Sequence, residues 1–231
     1  MYAAYTYKQQ HSLTLPMNNK KIGIVGSGDV GQALAKGFIF DGYDVMVGSR
    51  DGHRAAAVDE ALGIDVATGT FREVAEWAEL VILAVKGSAA EGVAGELADA
   101  LAGKVVIDVT NPISDNPPVD GVLKYFTSLD ESLAERIQAS APAARVVKAW
   151  NTVAHRFMID PDFSETPTMP IAGNDEHARK EVADIVRSFG WEVVDMGVLT
   201  AARAIEPLTM LLCIPGFLRN DWNHAFRMLR T

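Results

Sequence analysis

Short apolar runs recur along the chain, each ending in a polar turn and followed by a longer stretch whose apolar residues return every three or four positions. Runs that are apolar at every residue suit strands covered on both faces. The longer stretches suit helices laid on such a sheet. The first run, 21–25 (Lys-Ile-Gly-Ile-Val), leads into a helix over 29–40, and a second strand follows over 43–48. A helix over 51–62, a short strand at 64–67 and a short helix at 70–78 come next. Residues 80–85 (Leu-Val-Ile-Leu-Ala-Val) and 105–109 read as buried strands on either side of a helix over 88–101. Pro112, Pro117 and Pro118 mark 113–127 as a loop, followed by a helix over 130–140 and a strand over 145–150. A second loop with Pro161 and Pro167 spans 155–168. A strand at 169–172, a helix from Asn174-Asp175 to about Phe189 and a strand at 191–195 then complete the series. From Thr200 onward the pattern is helical and amphipathic, and Pro215-Gly216 should interrupt it.

This alternation predicts an α/β chain: a doubly wound Rossmann-type sheet, mostly parallel, with a small C-terminal helical appendage. Residues 20–199 are the expected dinucleotide-binding domain, and 200–231 the helices of an acceptor pocket or a dimer seam. Residues 1–19 lack the apolar stretch of a secretory signal and read as a mobile extension, with Met17 as a second candidate initiator.

Chemistry concentrates in the turn after the first strand, Gly26-Ser27-Gly28-Asp29-Val30-Gly31. A G-x-G-x-x-G match carries meaning only between a strand and a helix, and both flank it here. Gly26 allows the tight turn, Gly28 lets a pyrophosphate approach the backbone, and Gly31 lets the helix pack on the strand. The phosphates then meet free N–H groups at the positive end of the helix. At the tip of the second strand an NAD enzyme usually carries Asp or Glu for the ribose hydroxyls. This chain has Gly48-Ser49-Arg50, with Arg54 one turn further on. A hydroxyl and a guanidinium hold a 2′-phosphate that a carboxylate would repel, so the cofactor reading is NADP(H).

Ligands of open α/β sheets lie beyond the carboxyl ends of the strands. The loops to inspect are therefore Lys86-Gly87-Ser88, Thr110-Asn111-Pro112 and Asn151-Thr152-Val153. Asn111 and Asn151 could bond the ribose or carboxamide, or could simply satisfy turn backbone. Proton donors are few. No Tyr stands four residues before a Lys, His155 lies in a loop, and Lys148 reads as an outward-pointing strand residue. No metal-ligand spacing is present. Hydride transfer between two redox cofactors needs ring alignment and dryness more than a side-chain acid. Ile205, Leu208, Met210, Leu211, Leu212, Pro215 and Phe217 could supply an apolar floor for it, or could be core or a dimer seam.

Bulk composition narrows the partners. The chain has 231 residues, is 48% hydrophobic, and carries a net charge of −9. That charge disfavours nucleic acid and anionic membrane surfaces. The single Cys213, among apolar neighbours, reads as a buried thiol and excludes an internal disulfide. No sequence run approaches the ~18 apolar residues of a membrane span, and a cytoplasmic protein is expected.

With these residues in hand, the chain from about 20 to 215 resembles the NADP-dependent oxidoreductases of coenzyme F420, the 5-deazaflavin reductases. The segments that carry the likeness are VGSR at 47–50, LAVK at 83–86, DVTNP at 108–112, VVKAWNT at 146–152, PIAGND at 170–175 and ARAIEPLTML at 202–211. It is also similar to the cytosolic domain of the six-transmembrane epithelial antigen of prostate metalloreductases. The resemblance implies cofactor contacts from Ser27, Gly28, Asp29 and Val30, and 2′-phosphate contacts from Ser49, Arg50 and Arg54. It further implies ribose and nicotinamide contacts around Val85–Lys86, Val109–Asn111 and Ala149–Asn151. The expected activity is direct hydride transfer between NADPH and a deazaflavin or flavin, with onward transfer to ferric iron as a further route, in a homodimer. Reduction of a small carbonyl or imine, and a non-enzymatic NADP(H) sensor, stand as the alternatives.

Overall fold

Among the described residues eight strands build one sheet in the order β3-β2-β1-β4-β5-β6-β7-β8. They are β1 (Lys21–Val25), β2 (Asp44–Ser49), β3 (Ala67–Thr70), β4 (Leu80–Leu83), β5 (Val105–Asp108), β6 (Arg145–Lys148), β7 (Thr168–Gly173) and β8 (Glu192–Asp195). The computed structural model describes residues 20–50 and 66–231. Neighbouring strands run parallel except β6 and β7, which pair antiparallel through Val147↔Gly173 and Lys148↔Ala172. The order reverses direction at β1, where the chain crosses to β4. A doubly wound sheet opens its ligand crevice at that point.

Among the described residues six helices cover the sheet: α1 (Asp29–Phe40), α2 (Phe71–Trp77), α3 (Gly87–Glu96), α4 (Leu133–Ser140), α5 (Glu176–Ser188) and α6 (Ala202–Arg219). The period-2 geometry of the strands splits the core into two layers. Ile22, Ile24, Leu80, Ile82, Val105 and Ile107 face one side, with Phe38 of α1 and Phe189 after α5. Val25, Val81, Leu83 and Val106 face the other, with Val74 of α2 and Leu133 of α4. Local caps agree with these ends. Thr70 and Ser132 each close a capping box with the glutamate three residues on, and Asp175 accepts from the Ala178 N–H.

Several boundaries differ from the sequence reading. The third strand runs over Ala67–Thr70, with Ala67 opposite Met46 and Thr70 opposite Ser49; of the strand expected at 64–67, residues 64 and 65 lie outside the described residues. The helix expected to reach residue 101 ends at Glu96 and continues as turns to Gly103. The expected break at Pro215-Gly216 is absent: α6 runs through both Pro207 and Pro215 to Arg219. Pro215 leaves the Leu211 carbonyl without its helical donor, and Leu211 lies on the solvent face, 54% exposed. The expected helix over 51–62 and Arg54 lie outside the described residues.

The segment Leu199–Arg219 is long and apolar enough, by length and composition alone, to cross a membrane, with a mean hydropathy of 1.4. The expectation from sequence that no run approaches a membrane span is corrected by this segment. In the fold one stripe of this segment, Ala202, Ile205, Glu206, Thr209, Leu212, Cys213 and Gly216, is buried against the domain. Two of those seven are polar, and they matter below.

Candidate functional site

A cleft of about 360 Å³ opens at the crossover point, between the glycine turn, the tip of β2 and the loop after β4. Gly26, Ser27 and Gly28 form one wall, Ser49 and Arg50 the second, and Ala84, Val85 and Lys86 the third, with Phe71 at the edge. The turn is braced from behind. The Gly26 N–H donates to the Gly48 carbonyl at 3.1 Å, and Gln32 Nε2 donates to the Ser27 carbonyl at 2.9 Å.

The three glycines divide by what forces them. Gly26 has φ +130°, and a Cβ there would sit 2.3 Å from the Ala84 carbonyl oxygen. At Gly31 a Cβ would sit 2.0 Å from the Gly26 carbonyl oxygen, so close packing of α1 on the turn demands its bareness. Gly28 has φ −78°, and a Cβ there would meet no heavy atom within 4 Å. Among the described residues nothing requires a glycine at that position. A side chain would instead fill the cleft where a phosphate approaches the backbone. Gly28 is also the N-cap of α1 and offers no side-chain cap, so first-turn N–H groups remain available to an anion. This is the fit expected of a dinucleotide.

At the β2 tip Ser49 is buried, 7% exposed, and Arg50 is exposed. Arg50 has no ion-pair partner among the described residues, and it lines the cleft. Asp29 lies in the first turn of α1, exposed, and Val30 packs on the core. Lys86 caps the start of α3, and its ammonium pairs with Asp115 of the loop after β5 at 2.5 Å. Val109 and Ala149 are in the core, 5% and 0% exposed, so they can reach a ligand only through backbone.

Asn111 and Asn151 are brought together, but largely by each other. Asn111 Nδ2 donates to the Asn151 carbonyl at 3.0 Å, and Asn151 Nδ2 donates to Asn111 Oδ1 at 3.1 Å. Asn151 is 2% exposed, and its Oδ1 is buried with no partner among the described residues. Trp150, which precedes it, holds a left-handed φ of 55° and stacks on Phe189 at 5.7 Å between centroids. Such a backbone costs of order 1 kcal/mol and persists only where packing enforces it. Here the packing fixes the loop that carries Asn151.

Lys148 requires a correction. It does not point outward: it is fully buried, 2.9 Å from Asp108 Oδ2 and 3.2 Å from Glu206 Oε1, and it donates to the Thr110 carbonyl. Burial opposes its charge, but the two carboxylates outweigh that and raise its pKa. Two anions against one cation would be unfavourable in a core, so the second needs another partner. Glu206 finds it at the start of α4, where it accepts from the Leu133 and Ala134 N–H groups at 2.9 and 3.0 Å. The positive end of α4 thus balances the triad.

Asp108, Glu206, Thr209 and Tyr125 were not singled out as site residues. Tyr125 donates to the Glu206 carbonyl, and burial drives its pKa upward. The available signal was spacing: Arg203, Glu206 and Thr209 recur every third residue and share one helix face. Arg203 pairs with Glu135 at 2.7 Å. The seven apolar residues expected as a single floor do not share a face. Ile205 and Leu212 are buried, whereas Leu211 and Phe217 are 54% and 45% exposed. His155 is exposed on a 3₁₀ turn.

Fold and cleft together define a dinucleotide-dependent oxidoreductase domain of the doubly wound class. The family model described as NADP oxidoreductase, coenzyme F420-dependent, matches residues 21–112. The F420-dependent NADP reductase of Methanothermobacter marburgensis is 31% identical over 203 residues, covering 83% of this chain and 90% of that protein. A crystal structure from Arthrobacter sp. FB24, provisionally described as an F420-dependent NADP-reductase, superposes with a TM-score of 0.83 at 30% identity. It covers 90% of this chain and 99% of that one. Metalloreductase STEAP3 of Rattus norvegicus is 31% identical over 198 residues, 86% of this chain. The chain spans only 38% of that relative's length. The chain belongs to the family of coenzyme F420-dependent NADP oxidoreductases.

Proposed function

We propose that the cleft takes NADP(H) and that the protein passes a hydride between NADPH and a deazaflavin or flavin acceptor. The observation that carries this reading is Arg50: a guanidinium without an ion-pair partner among the described residues, beside Ser49, across the cleft from a glycine that no described neighbour requires. Ser49 and Arg50 hold the 2′-phosphate, and the first-turn N–H groups of α1 hold the pyrophosphate. When bound, the dihydronicotinamide supplies the hydride. The loops after β4, β5 and β6 orient that end and exclude water.

Among the described residues nothing at the cleft offers the acid that carbonyl or imine reduction needs. Lys148 is sealed in its triad and His155 faces solvent. Transfer between two ring cofactors needs no such group. The name of the rat relative, a metalloreductase, suggests a metal ion as a later acceptor of electrons from a reduced flavin, and ferric iron is the one proposed here. NADPH oxidation measured with a deazaflavin, with FMN and with riboflavin tests the reading. Turnover with an imine or ketone alone, or tight NADPH binding with no turnover on any acceptor, would overturn it.

A further inference from the structure

Of the two buried polar residues of α6, Glu206 has an ionic partner, whereas Thr209 meets the two asparagine loops. Thr209 is 4% exposed, and its Oγ1 lies 2.8 Å from Asn111 Oδ1 and 2.7 Å from the Asn151 carbonyl oxygen. Asn151 Nδ2 also reaches the Ile205 carbonyl at 3.3 Å. Main-chain carbonyls only accept, so these contacts settle which end of each amide carries the nitrogen. Asn111 Oδ1 is therefore turned inward, onto Thr209 and Asn151. One of its two amide N–H groups is spent on the Asn151 carbonyl, and the other has no partner among the described residues. Asn111 is half-exposed, and its carbonyl oxygen would lie 1.8 Å from a Cβ on Gly87, directly after the cleft residues Val85 and Lys86. A dinucleotide laid from Arg50 across the glycine turn brings its nicotinamide half toward this edge.

We propose that Thr209 is a positioning residue. It holds the Asn111 amide so that the loop after β5 offers the nicotinamide half a hydrogen-bond donor, for an acceptor oxygen of that half. The inference rests on the NADP(H) reading of the cleft. Two ligands separate them: NADPH, and adenosine 2′,5′-bisphosphate, which keeps the 2′-phosphate end and lacks the nicotinamide. Thr209→Val keeps the shape and removes the hydroxyl. It should weaken NADPH binding roughly three- to twelvefold, the loss of one hydrogen bond, and leave bisphosphate binding within about twofold. Thr209→Ser should restore NADPH binding. Equal loss for both ligands, or no loss for either, overturns the proposal. Failure of the wild-type protein to bind the bisphosphate overturns the NADP(H) reading itself. Should Thr209→Val not fold, Asn111→Ser is expected to show the same nicotinamide-selective loss, and equal effects on the two ligands again overturn it.

Discussion

Asp108 and Lys148 stand opposite each other in the register of β5 and β6, both wholly buried, with their charged atoms 2.9 Å apart. They close the carboxyl ends of two central strands, and Glu206 of α6 joins them from above. Lys148→Met would leave two buried carboxylates facing each other. It should cost about 3–5 kcal/mol, the range for breaking a buried pair. Glu206→Gln keeps the Asp108–Lys148 pair neutral and one backbone acceptor in place, so about 1–3 kcal/mol is expected. Urea denaturation checks the order of the two, and a larger loss for Glu206→Gln would refute the charge balance described.

Arg50→Ala should weaken NADPH binding by about 1.5–3 kcal/mol, as for a hydrogen bond to a charged group, and barely change NADH. Fluorescence titration with both cofactors decides it. A matched loss for the two would remove the 2′-phosphate from this corner of the cleft.

Gly28 and Gly31 should part company under substitution. Gly28→Ser adds a favoured helix cap in open space, so thermal stability should hold or rise while NADPH binding falls roughly tenfold or more. Gly31→Ala places a methyl 2.0 Å from a backbone oxygen and should lower the melting temperature with or without ligand. Unimpaired NADPH binding by Gly28→Ser would remove the pyrophosphate from the turn.

The Arg203–Glu135 pair ties α6 to α4 and predicts an acid dependence. Hydrogen bonds from Arg203, helped by Ser132 and opposed by burial, hold the Glu135 carboxyl down at about 2 from its usual 4.5. A carboxyl depressed in the folded state stabilises above its unfolded pKa and loses that contribution as pH falls through the folded value. The stability gap between wild type and Arg203→Met should therefore be full above pH 4.5 and close by about pH 2. A gap independent of pH across that window would show that Arg203 acts through packing alone.

Leu211 and Leu218 leave α6 on its outer face, each 54% exposed, and Val119 and Val122 flank Gly121, which packs on Leu218. A second copy of the chain covering this patch would give a homodimer, with Leu218→Asp shifting it toward monomer in sedimentation velocity. A monomeric wild-type protein at micromolar concentration would end that expectation.

What the sequence determined by itself was local. The alternation of buried runs and helices, the strand–turn–helix around Gly26–Gly31 and the Ser49–Arg50 tip all follow from neighbours along the chain, because turn sterics and strand period act over a few residues. Tertiary structure decided whatever depended on residues far apart in sequence. It turned Lys148 inward, since only the fold sets it against Asp108 and, through α6, Glu206. It carried α6 past Pro215, since packing of one face outweighs the propensity of a single residue. It also joined Thr209 to Asn111 and Asn151, because the direction of a side-chain amide is set by the carbonyls that folding brings to it.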